Sequence, residues 1–190
     1  RHRLGTAQAD GLIGAYGVSN FDAPQLAAAL AAGAPRAVQN SYSLLARQDE
    51  PDLLPLCAER GVAYLAFGPL AGGWLTGKYR RGAAYPAGSR MTQRPEPYQD
   101  LVTGATFDAL DRLEAIAASR GTSLAGLALG WLLADERVTQ VVIGPGRPEH
   151  LAPAAEAFRV GSDVPDALRS VASRPGGSDL RLLAAAWHVA

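Results

Sequence analysis

Short apolar runs alternate with helical segments along most of this chain, and this alternation constrains the fold more than any other feature. Runs that suit buried strands occupy residues 12–18, 37–40, 62–67 and 138–143. Four strands that alternate with helices predict an α/β fold with a parallel sheet and right-handed crossovers. The sheet could belong to an eight-stranded barrel or to an open doubly wound fold. No Gly-x-Gly-x-x-Gly lies between a strand and a helix, which disfavours the open sheet.

Helix-capping patterns place helices between these strands. Asp22 and Gln25 match a capping box with Pro24 in the first turn, so a helix begins there and ends near Gly33. Further helices are predicted over residues 52–60, 106–119 and 123–132, from residue 148 to about 158, near residues 165–171 and over residues 180–189. Residues 1–10 have no clear pattern, and residues 41–49 are predicted to form a polar loop.

The strand at residues 62–67 leads into a glycine-rich stretch that ends in the only lysine of the chain. Gly68, Gly72 and Gly73 let a backbone pass close to a ligand, and Lys78 adds a positive charge. This pattern indicates a phosphate or dinucleotide contact at the carboxyl edge of a parallel sheet. A long flexible surface turn is the alternative. Residues 71–104 are longer than an ordinary loop, and we predict that they form a functional flap.

Charge and composition limit the partners of the chain. Eighteen basic residues balance eighteen acidic ones, so net charge favours neither nucleic acid nor an anionic membrane. We therefore expect a small molecule or another protein as partner. Cys57 is the only cysteine, which excludes an internal disulfide and fits a reducing compartment. Because no signal peptide and no uninterrupted membrane-spanning run are visible, we expect a cytoplasmic protein.

Five short motifs together resemble one known enzyme family. They are GVSNF at 17–21, VQNSYSLL at 38–45, FGPLAGGWLTGKY at 67–79, PAGSR at 86–90 and VVIGPGRPEHL at 141–151. Their order and spacing resemble the second half of aldo-keto reductases, nearest to the branch with potassium-channel β subunits and bacterial short-chain carbonyl reductases. The resemblance implies a parallel (β/α)8 TIM barrel to which residues 1–158 contribute about four β/α units, a half barrel. Residues 159–190 would then be a C-terminal helical extension.

The family resemblance implies NAD(P)H-dependent reduction of an aldehyde or ketone to an alcohol, with this chain holding the cofactor. Ser19, Asn20 and Gln39 match the residues that hold the nicotinamide carboxamide, and their side chains offer the required donors and acceptors. Phe67 matches the aromatic residue that stacks on the nicotinamide ring. Taken alone, Phe67 would be interpreted as a core residue.

The resemblance also assigns residues to the pyrophosphate. Gly68, Leu70 and Gly72 match backbone contacts to it, while Lys78 and Arg90 match charged groups that close over it. The alternative for the two charged residues is that they are isolated surface charges.

The resemblance places the adenosine end of the cofactor after the fourth strand. Four residues match the positions that hold the adenosine 2′-phosphate and ribose: Gly144, Gly146, Arg147 and His150. The guanidinium of Arg147 suits a phosphate, and His150 could equally be a solvated residue in a first helical turn. Pro153 and Ala154 replace the residues that usually contact adenine, and Gly144 replaces a lysine of some members. NADP is therefore the expected cofactor, with NAD possible.

No catalytic residue and no metal ligand are assigned. The family uses a tyrosine acid with a lysine, an aspartate and a histidine, and these four lie in the first half of the barrel, ahead of Arg1. Tyr16, Tyr42 and Tyr64 fall in or beside strands, where core packing is the simpler explanation. This chain alone is therefore expected to be inactive.

A half barrel would leave two unpaired strand edges and an uncovered inner face, which favour association with another chain. Either the first half is missing from this sequence, or another chain completes the barrel. The expected partners are a carbonyl substrate and either a second copy of the chain or a complementary half barrel. A non-catalytic binding or regulatory half barrel and a truncated fragment without a function of its own are the alternatives.

Overall fold

A parallel sheet of four strands organises the fold of residues 3–160, the part of the chain that this computed structural model describes. The strands are β1 (Gly17–Ser19), β2 (Ala37–Ser41), β3 (Ala63–Phe67) and β4 (Gln140–Val142), and they lie side by side in chain order. All three neighbouring pairs are parallel. The predicted parallel α/β fold is therefore confirmed, while the helices predicted near residues 165–171 and 180–189 lie outside the described residues.

Helices connect the strands where the capping patterns predict them. The α-helices of the described residues are α1 (Arg3–Ala9), α2 (Ala23–Ala32), α3 (Leu53–Arg60), α4 (Arg90–Gln93), α5 (Gly104–Ser119), α6 (Leu124–Leu133) and α7 (Ala152–Ala157). Short 3₁₀ helices cover Ala71–Thr76, Glu96–Leu101 and Pro148–Leu151. The predicted capping box of α2 is confirmed, because the Asp22 carboxylate accepts from the Gln25 amide at 2.8 Å and the Gln25 side chain accepts from the Asp22 amide at 3.0 Å.

The two faces of the sheet differ in burial. On one face, Val38 and Asn40 of β2 and Tyr64 and Ala66 of β3 are buried under the helices. The alternate residues of both strands are only half-buried. Because register partners in a parallel sheet share a face, these residues and their partners in β1 and β4 form one surface, which we name the open face. It consists of Gly17, Ser19, Ala37, Gln39, Ser41, Ala63, Leu65, Phe67, Gln140 and Val142.

Helix α6 lies at the centre of the helical layer. Every residue from Leu124 to Leu132 is buried, and the Trp131 ring packs 5.3 Å from the Tyr42 ring. By length and composition, no single helix among residues 3–160 qualifies as a membrane span. Only α5 and α6 taken together meet those criteria, and their axes differ by 87°.

The first strand is shorter than predicted. Residues 3–9 form helix α1, and the backbone amides of Leu12 and Ile13 donate to the carbonyl of Ala7. Since these amides complete the end of a helix, they are not available to a strand ladder. Pairing with β2 therefore begins only at Gly17, and the prediction of a strand from residue 12 is wrong.

The segment predicted to be a polar loop is largely buried. Tyr42, Ser43, Leu44 and Asp49 have at most 7% of their surface exposed. The Tyr42 ring packs edge-on against that of Tyr64, with ring centroids 5.8 Å apart. Contacts between residues distant in sequence decided this burial, so the pattern of polar letters at residues 41–49 was misleading.

Residues 71–104 contain three short helices, Ala71–Thr76, Arg90–Gln93 and Glu96–Leu101, joined by turns and irregular backbone. Trp74, Tyr79 and Met91 are buried, and Trp74 packs against Tyr79 and Phe107 with ring centroids 5.1 and 5.5 Å apart. Aromatic packing against α5 supplies the apolar contacts that an open flap would lack. The segment is therefore packed against the rest of the fold, and its predicted role as a functional flap stays a prediction.

Candidate functional site

The carboxyl ends of β1 and β2 bring Ser19, Asn20 and Gln39 into direct contact. The Ser19 hydroxyl donates to the Gln39 carbonyl at 3.0 Å, and the Asn20 backbone amide donates to the same carbonyl at 3.0 Å. The Asn20 side-chain amide donates to the Ser19 hydroxyl at 3.2 Å. Ser19 and Asn20 are exposed and Gln39 is half-buried. Amide and hydroxyl groups are thus concentrated at one exposed corner of the sheet, which we name the amide corner.

Asn20 adopts a backbone conformation that few residues tolerate. Its φ is +58°, in the left-handed region where asparagine is enriched among residues other than glycine. Asn20 lies between the end of β1 and the capping box of α2. Its position is specified by the fold, since the residues on either side belong to separate elements.

A buried polar network lies behind the amide corner, and sequence reasoning missed it. The Asn40 side-chain amide donates to the Phe21 carbonyl at 2.9 Å and to the Asp49 carboxylate at 2.8 Å. The Tyr64 hydroxyl donates to the same carboxylate oxygen at 2.7 Å. Burial raises the pKa of Asp49, although both hydrogen bonds oppose that shift. The one sequence feature that could have indicated this network is Asn40, which lies within the VQNSYSLL motif.

Phe67 lies on the open face at the carboxyl end of β3. It is the register partner of Ser41 and Val142, and it shares the open face with Gln39. Its side chain is half-buried and does not belong to the buried core. The core interpretation that the residue type alone suggests therefore does not describe this position.

The backbone after β3 turns sharply through residues with positive φ. Gly68, Gly72 and Gly73 have φ values of +63°, +64° and +98°, and Ala71 has +46°. The Leu70 carbonyl accepts hydrogen bonds from the amides of Gly73 and Leu75 at 2.8 and 3.2 Å. The backbone path itself thus requires these glycines. The glycine-rich motif therefore has a structural explanation in addition to the predicted phosphate contact.

Tyr79 links this glycine-rich turn to helix α4. Its hydroxyl donates to the Gly72 carbonyl at 3.1 Å and accepts from the Met91 amide at 3.4 Å. Met91 follows Arg90, which is exposed at the first position of α4. Lys78 is also exposed, with its ammonium group 5.2 Å from the centre of the Tyr79 ring. The buried Tyr79, which the sequence did not single out, therefore contacts Lys78 directly and the residue that follows Arg90.

The segment after β4 is exposed along residues 144–150. The Gly146 amide donates to Nδ1 of His150 at 3.3 Å. Arg147 has a side chain that is 74% exposed, with its guanidinium 4.0 Å from the Glu149 carboxylate. An exposed cation with a distant anionic neighbour is able to bind a phosphate, so the geometry is compatible with the predicted role of Arg147. The geometry at His150 is compatible with both interpretations, a ligand contact and a solvated residue.

Two tyrosines considered as substitute acids are buried away from the open face. Tyr42 and Tyr64 are fully buried, and burial raises the pKa of each hydroxyl, with further contributions from Glu50 at Tyr42 and from Asp49 at Tyr64. Their hydroxyls donate to those carboxylates. Core packing, which the sequence favoured for both, is confirmed.

A surface cavity of about 340 Å³ lies elsewhere, lined by none of the predicted site residues. Arg47 and Glu50 on its wall form an ion pair at 2.7 Å, as do Asp135 and Arg137 at 2.6 Å. Both arginines of this cavity are thus paired with carboxylates, and Glu136 is a third acidic residue on its wall. Among residues 3–160, no group of three or more His, Cys, Asp or Glu side chains could hold a metal ion.

Two curated enzymes of Escherichia coli are similar to this chain. An L-glyceraldehyde 3-phosphate reductase of strain O157:H7 is 42% identical over 125 residues, which cover 63% of this chain and 36% of that protein. An NADH-specific methylglyoxal reductase of strain K12 is 28% identical over 164 residues, covering 86% of this chain and 49% of that protein. The chain thus spans between a third and a half of these relatives.

A solved structure and a family model agree with these similarities. A glycerol dehydrogenase from Gluconobacter oxydans superposes with a TM-score of 0.74 and 26% identity, covering 95% of this chain and 56% of that one. The model of the aldo/keto reductase family matches residues 3–174. Four parallel strands agree with part of a (β/α)8 barrel. The chain therefore belongs to the aldo/keto reductase family.

Proposed function

We propose that this chain provides the cofactor site of an NAD(P)H-dependent reductase that converts an aldehyde or ketone to an alcohol. The amide corner carries this proposal, because the exposed Ser19 hydroxyl and Asn20 side-chain amide are in contact there, and half-buried Gln39 lies beside them on the neighbouring strand. A carboxamide needs both a donor and an acceptor, and this group offers both. Phe67 on the same open face would stack on the nicotinamide ring.

The remaining contacts follow the length of the cofactor. The backbone of Gly68, Leu70 and Gly72, with Lys78 and Arg90, would hold the pyrophosphate. Four residues after β4 would hold the adenosine 2′-phosphate and ribose: Gly144, Gly146, Arg147 and His150. NADP is the proposed cofactor because the Arg147 side chain is 74% exposed and its guanidinium suits a phosphate. NAD remains the competing cofactor, since the similar methylglyoxal reductase is named NADH-specific.

We assign reduction itself to a complete barrel. When bound, the cofactor supplies the hydride, while the proton for the carbonyl oxygen would come from an acid in a complementary (β/α)4 segment. That segment would cover the open face, whose residues are left half-buried or exposed here. Small aldehydes are the proposed substrates, because the similar curated enzymes are named for glyceraldehyde 3-phosphate and methylglyoxal.

Titration of the chain with NADPH and NADH tests the cofactor site. Binding is followed by quenching of protein fluorescence, for which the three tryptophans serve as probes. The informative variant is Asn20→Gly, because glycine tolerates the φ of +58° and deletes only the amide. We expect it to weaken NADPH binding by about fivefold or more, the value of roughly one hydrogen bond.

The matched control is Gln140→Ala, which removes an amide from the open face at the far edge of the sheet. We expect the dissociation constant of this control to equal that of the unaltered chain. Failure of the unaltered chain to bind either nucleotide would refute the proposed function.

A non-catalytic regulatory role is the second candidate. A probable voltage-gated potassium channel subunit β of Arabidopsis thaliana is 33% identical over 147 residues, which cover 72% of this chain and 44% of that protein. The observation that favours this role is the open face, which is available to another protein. Nucleotide binding with no carbonyl reduction, after the chain is joined to a complementary half barrel that carries the tyrosine acid, would favour it.

A further inference from the structure

We propose that Asn40, held by Asp49 and Tyr64, is a positioning residue for the nicotinamide end of the cofactor. This inference rests on the proposed function, because it assigns to Asn40 the task of holding the amide corner in its binding geometry. Asn40 lies on the buried, helix-covered face of the sheet, whereas Gln39 lies on the open face. Asn40 therefore acts on the ligand only through the backbone beside Asn20.

Asn20 is held on both sides by adjacent residues of β2. The Asn20 backbone amide donates to the Gln39 carbonyl at 3.0 Å. One residue later, the Phe21 carbonyl accepts from the Asn40 side chain at 2.9 Å. A residue with left-handed φ persists only where surrounding contacts specify that conformation. Gln39 and Asn40 supply two such contacts, one through the main chain and one through a side chain.

The Asn40 side chain is itself fixed by buried partners. Its two amide protons are both used, since one goes to the Phe21 carbonyl and the other to the Asp49 carboxylate at 2.8 Å. The Asp49 oxygen also accepts from Tyr64, which is fully buried, and the Asp49 carbonyl accepts from the Leu54 amide in α3. The contact is thus connected through β3 and α3 to the core.

The direction of these hydrogen bonds makes the position sensitive to chemistry rather than to size. The Phe21 carbonyl needs a donor, and the Asp49 carboxylate needs another donor. An asparagine amide supplies both protons from one nitrogen, whereas an aspartate of nearly the same shape supplies neither when ionised. Exchanging Asn40 and Asp49 can therefore keep a contact between the two positions while it removes the donor to the Phe21 carbonyl. Because one Asp49 oxygen accepts from both Asn40 and Tyr64, an amide nitrogen in its place also leaves the Tyr64 hydroxyl without this acceptor.

The test compares Asn40→Ala and the exchanged double variant Asn40→Asp/Asp49→Asn with the unaltered chain. Tyr42→Phe is the matched control, because it removes a buried hydroxyl that donates to Glu50 at 2.9 Å and that makes no contact with the amide corner. The ligands are NADPH and 2′,5′-ADP, which lacks the nicotinamide. Hydrogen exchange of the peptide over residues 17–22 is measured without any ligand.

We expect Asn40→Ala to weaken NADPH binding by about two- to tenfold, the range of a net hydrogen bond, and to leave 2′,5′-ADP binding unchanged. Exchange of the peptide over residues 17–22 should accelerate in this variant and not in Tyr42→Phe. In the exchanged double variant, the unfolding temperature should recover towards that of the unaltered chain, while NADPH binding should stay weak. That separation is the signature of positioning, since a structural role alone would restore both together.

Three outcomes would overturn the positioning role. The first is an Asn40→Ala variant that binds NADPH as tightly as Tyr42→Phe does. The second is an Asn40→Ala variant that loses equal affinity for NADPH and for 2′,5′-ADP. The third is recovery of NADPH affinity in the exchanged double variant. If Asn40→Ala does not fold, the exchanged double variant alone tests the positioning role, because its NADPH affinity and its hydrogen exchange over residues 17–22 can be measured directly. An unaltered chain that binds neither ligand overturns the proposed function, and the positioning role with it.

Discussion

The ring of Tyr98 lies directly against the backbone of Gly72. A Cβ placed on Gly72 would come within 2.5 Å of two ring carbons, and the φ of Gly72 is +64°. Two separate physical reasons therefore require glycine here, the left-handed backbone and the absence of space. The Glu96–Leu101 turn is held against the glycine-rich turn by this contact.

Gly72→Ala should destabilise the chain by about 1–2 kcal/mol or more, from backbone strain and from displacement of the Tyr98 ring. Unfolding in urea measures the effect. Adding Tyr98→Ala relieves only the clash with the ring, so the double variant separates the two causes. Gly144→Ala is the control, because no atom lies within 4 Å of its Cβ position. A Gly72→Ala variant as stable as Gly144→Ala would refute this explanation.

Phe67→Ala should weaken NADPH binding by roughly 1 kcal/mol or more, because a ring on the open face would no longer stack on the nicotinamide. Fluorescence titration gives the dissociation constant. Leu65→Ala is the control, since it removes an apolar side chain from the same strand and the same face. An unchanged constant for Phe67→Ala would remove Phe67 from the site.

Arg147→Ala should reduce affinity for NADPH more than affinity for NADH, because only NADPH carries the 2′-phosphate. A charged hydrogen bond to phosphate is worth about 1.5–3 kcal/mol, and exposure of the Arg147 side chain argues for the lower end. Parallel titrations with the two nucleotides measure the difference. Arg60→Ala, at the end of α3, is the control. Equal losses for the two nucleotides would show that Arg147 does not recognise the 2′-phosphate.

Glu156 should make the stability of the chain depend on pH. Its carboxylate accepts from the Ser123 amide at 2.9 Å and from the hydroxyls of Ser123 and Thr122, and the Ser123 hydrogen bonds hold its pKa below the usual range. The folded state thus favours the ionised form. The resulting stabilisation is present above the pKa of the unfolded chain and is lost as the pH falls through the lower folded pKa.

Glu156→Gln should therefore cost about 0.5–1 kcal/mol at neutral pH, the value of a charge at a helix N-terminus. Its stability should decline less on acidification than that of the unaltered chain. Thermal unfolding between pH 7 and pH 3 tests this, with Glu59→Gln as the exposed control. Parallel pH profiles for Glu156→Gln and the unaltered chain would contradict it.

The open face should make the isolated chain self-associate. Both outer strands, β1 and β4, have a neighbour on one side only among the described residues, and Val142 on the open face is 39% exposed. Unpaired strand edges favour pairing with another chain. Sedimentation velocity measures the association, and Leu65→Glu should reduce it by placing a charge on the face. A well-folded, monodisperse monomer at high concentration would exclude this expectation.

Local patterns were sufficient for most of the helices and strands. Asp22 and Ser123 begin α2 and α6 as their sequence contexts predict, because a helix cap depends on residues only a few positions apart. Residues 12–16 show where this fails. Their alternation is typical of a strand, yet two of their amides serve the end of α1, and no local pattern reveals which partner an amide will find.

The candidate site divides in the same way. The motifs named Ser19, Asn20, Gln39 and Phe67 before any geometry was known, and the parallel order of the strands explains why separate motifs reach one edge. Tyr79, Asn40 and Asp49 were not named. Their importance comes from hydrogen bonds between Tyr79 and Gly72, between Asn40 and Phe21, and from Asn40 and Tyr64 to Asp49, each 7 to 19 residues apart. The roles of all these residues towards a cofactor stay predictions.

By itself, the sequence determined the alternation of strands and helices, the caps and the family motifs, since each depends on residue types at short spacing. Only the tertiary structure decided that Asn20 is held from both sides, that Tyr42, Ser43, Leu44 and Asp49 are buried and that one sheet face stays open. These features depend on which distant segments share a surface, and that is set by packing of the whole chain rather than by any local run of residues.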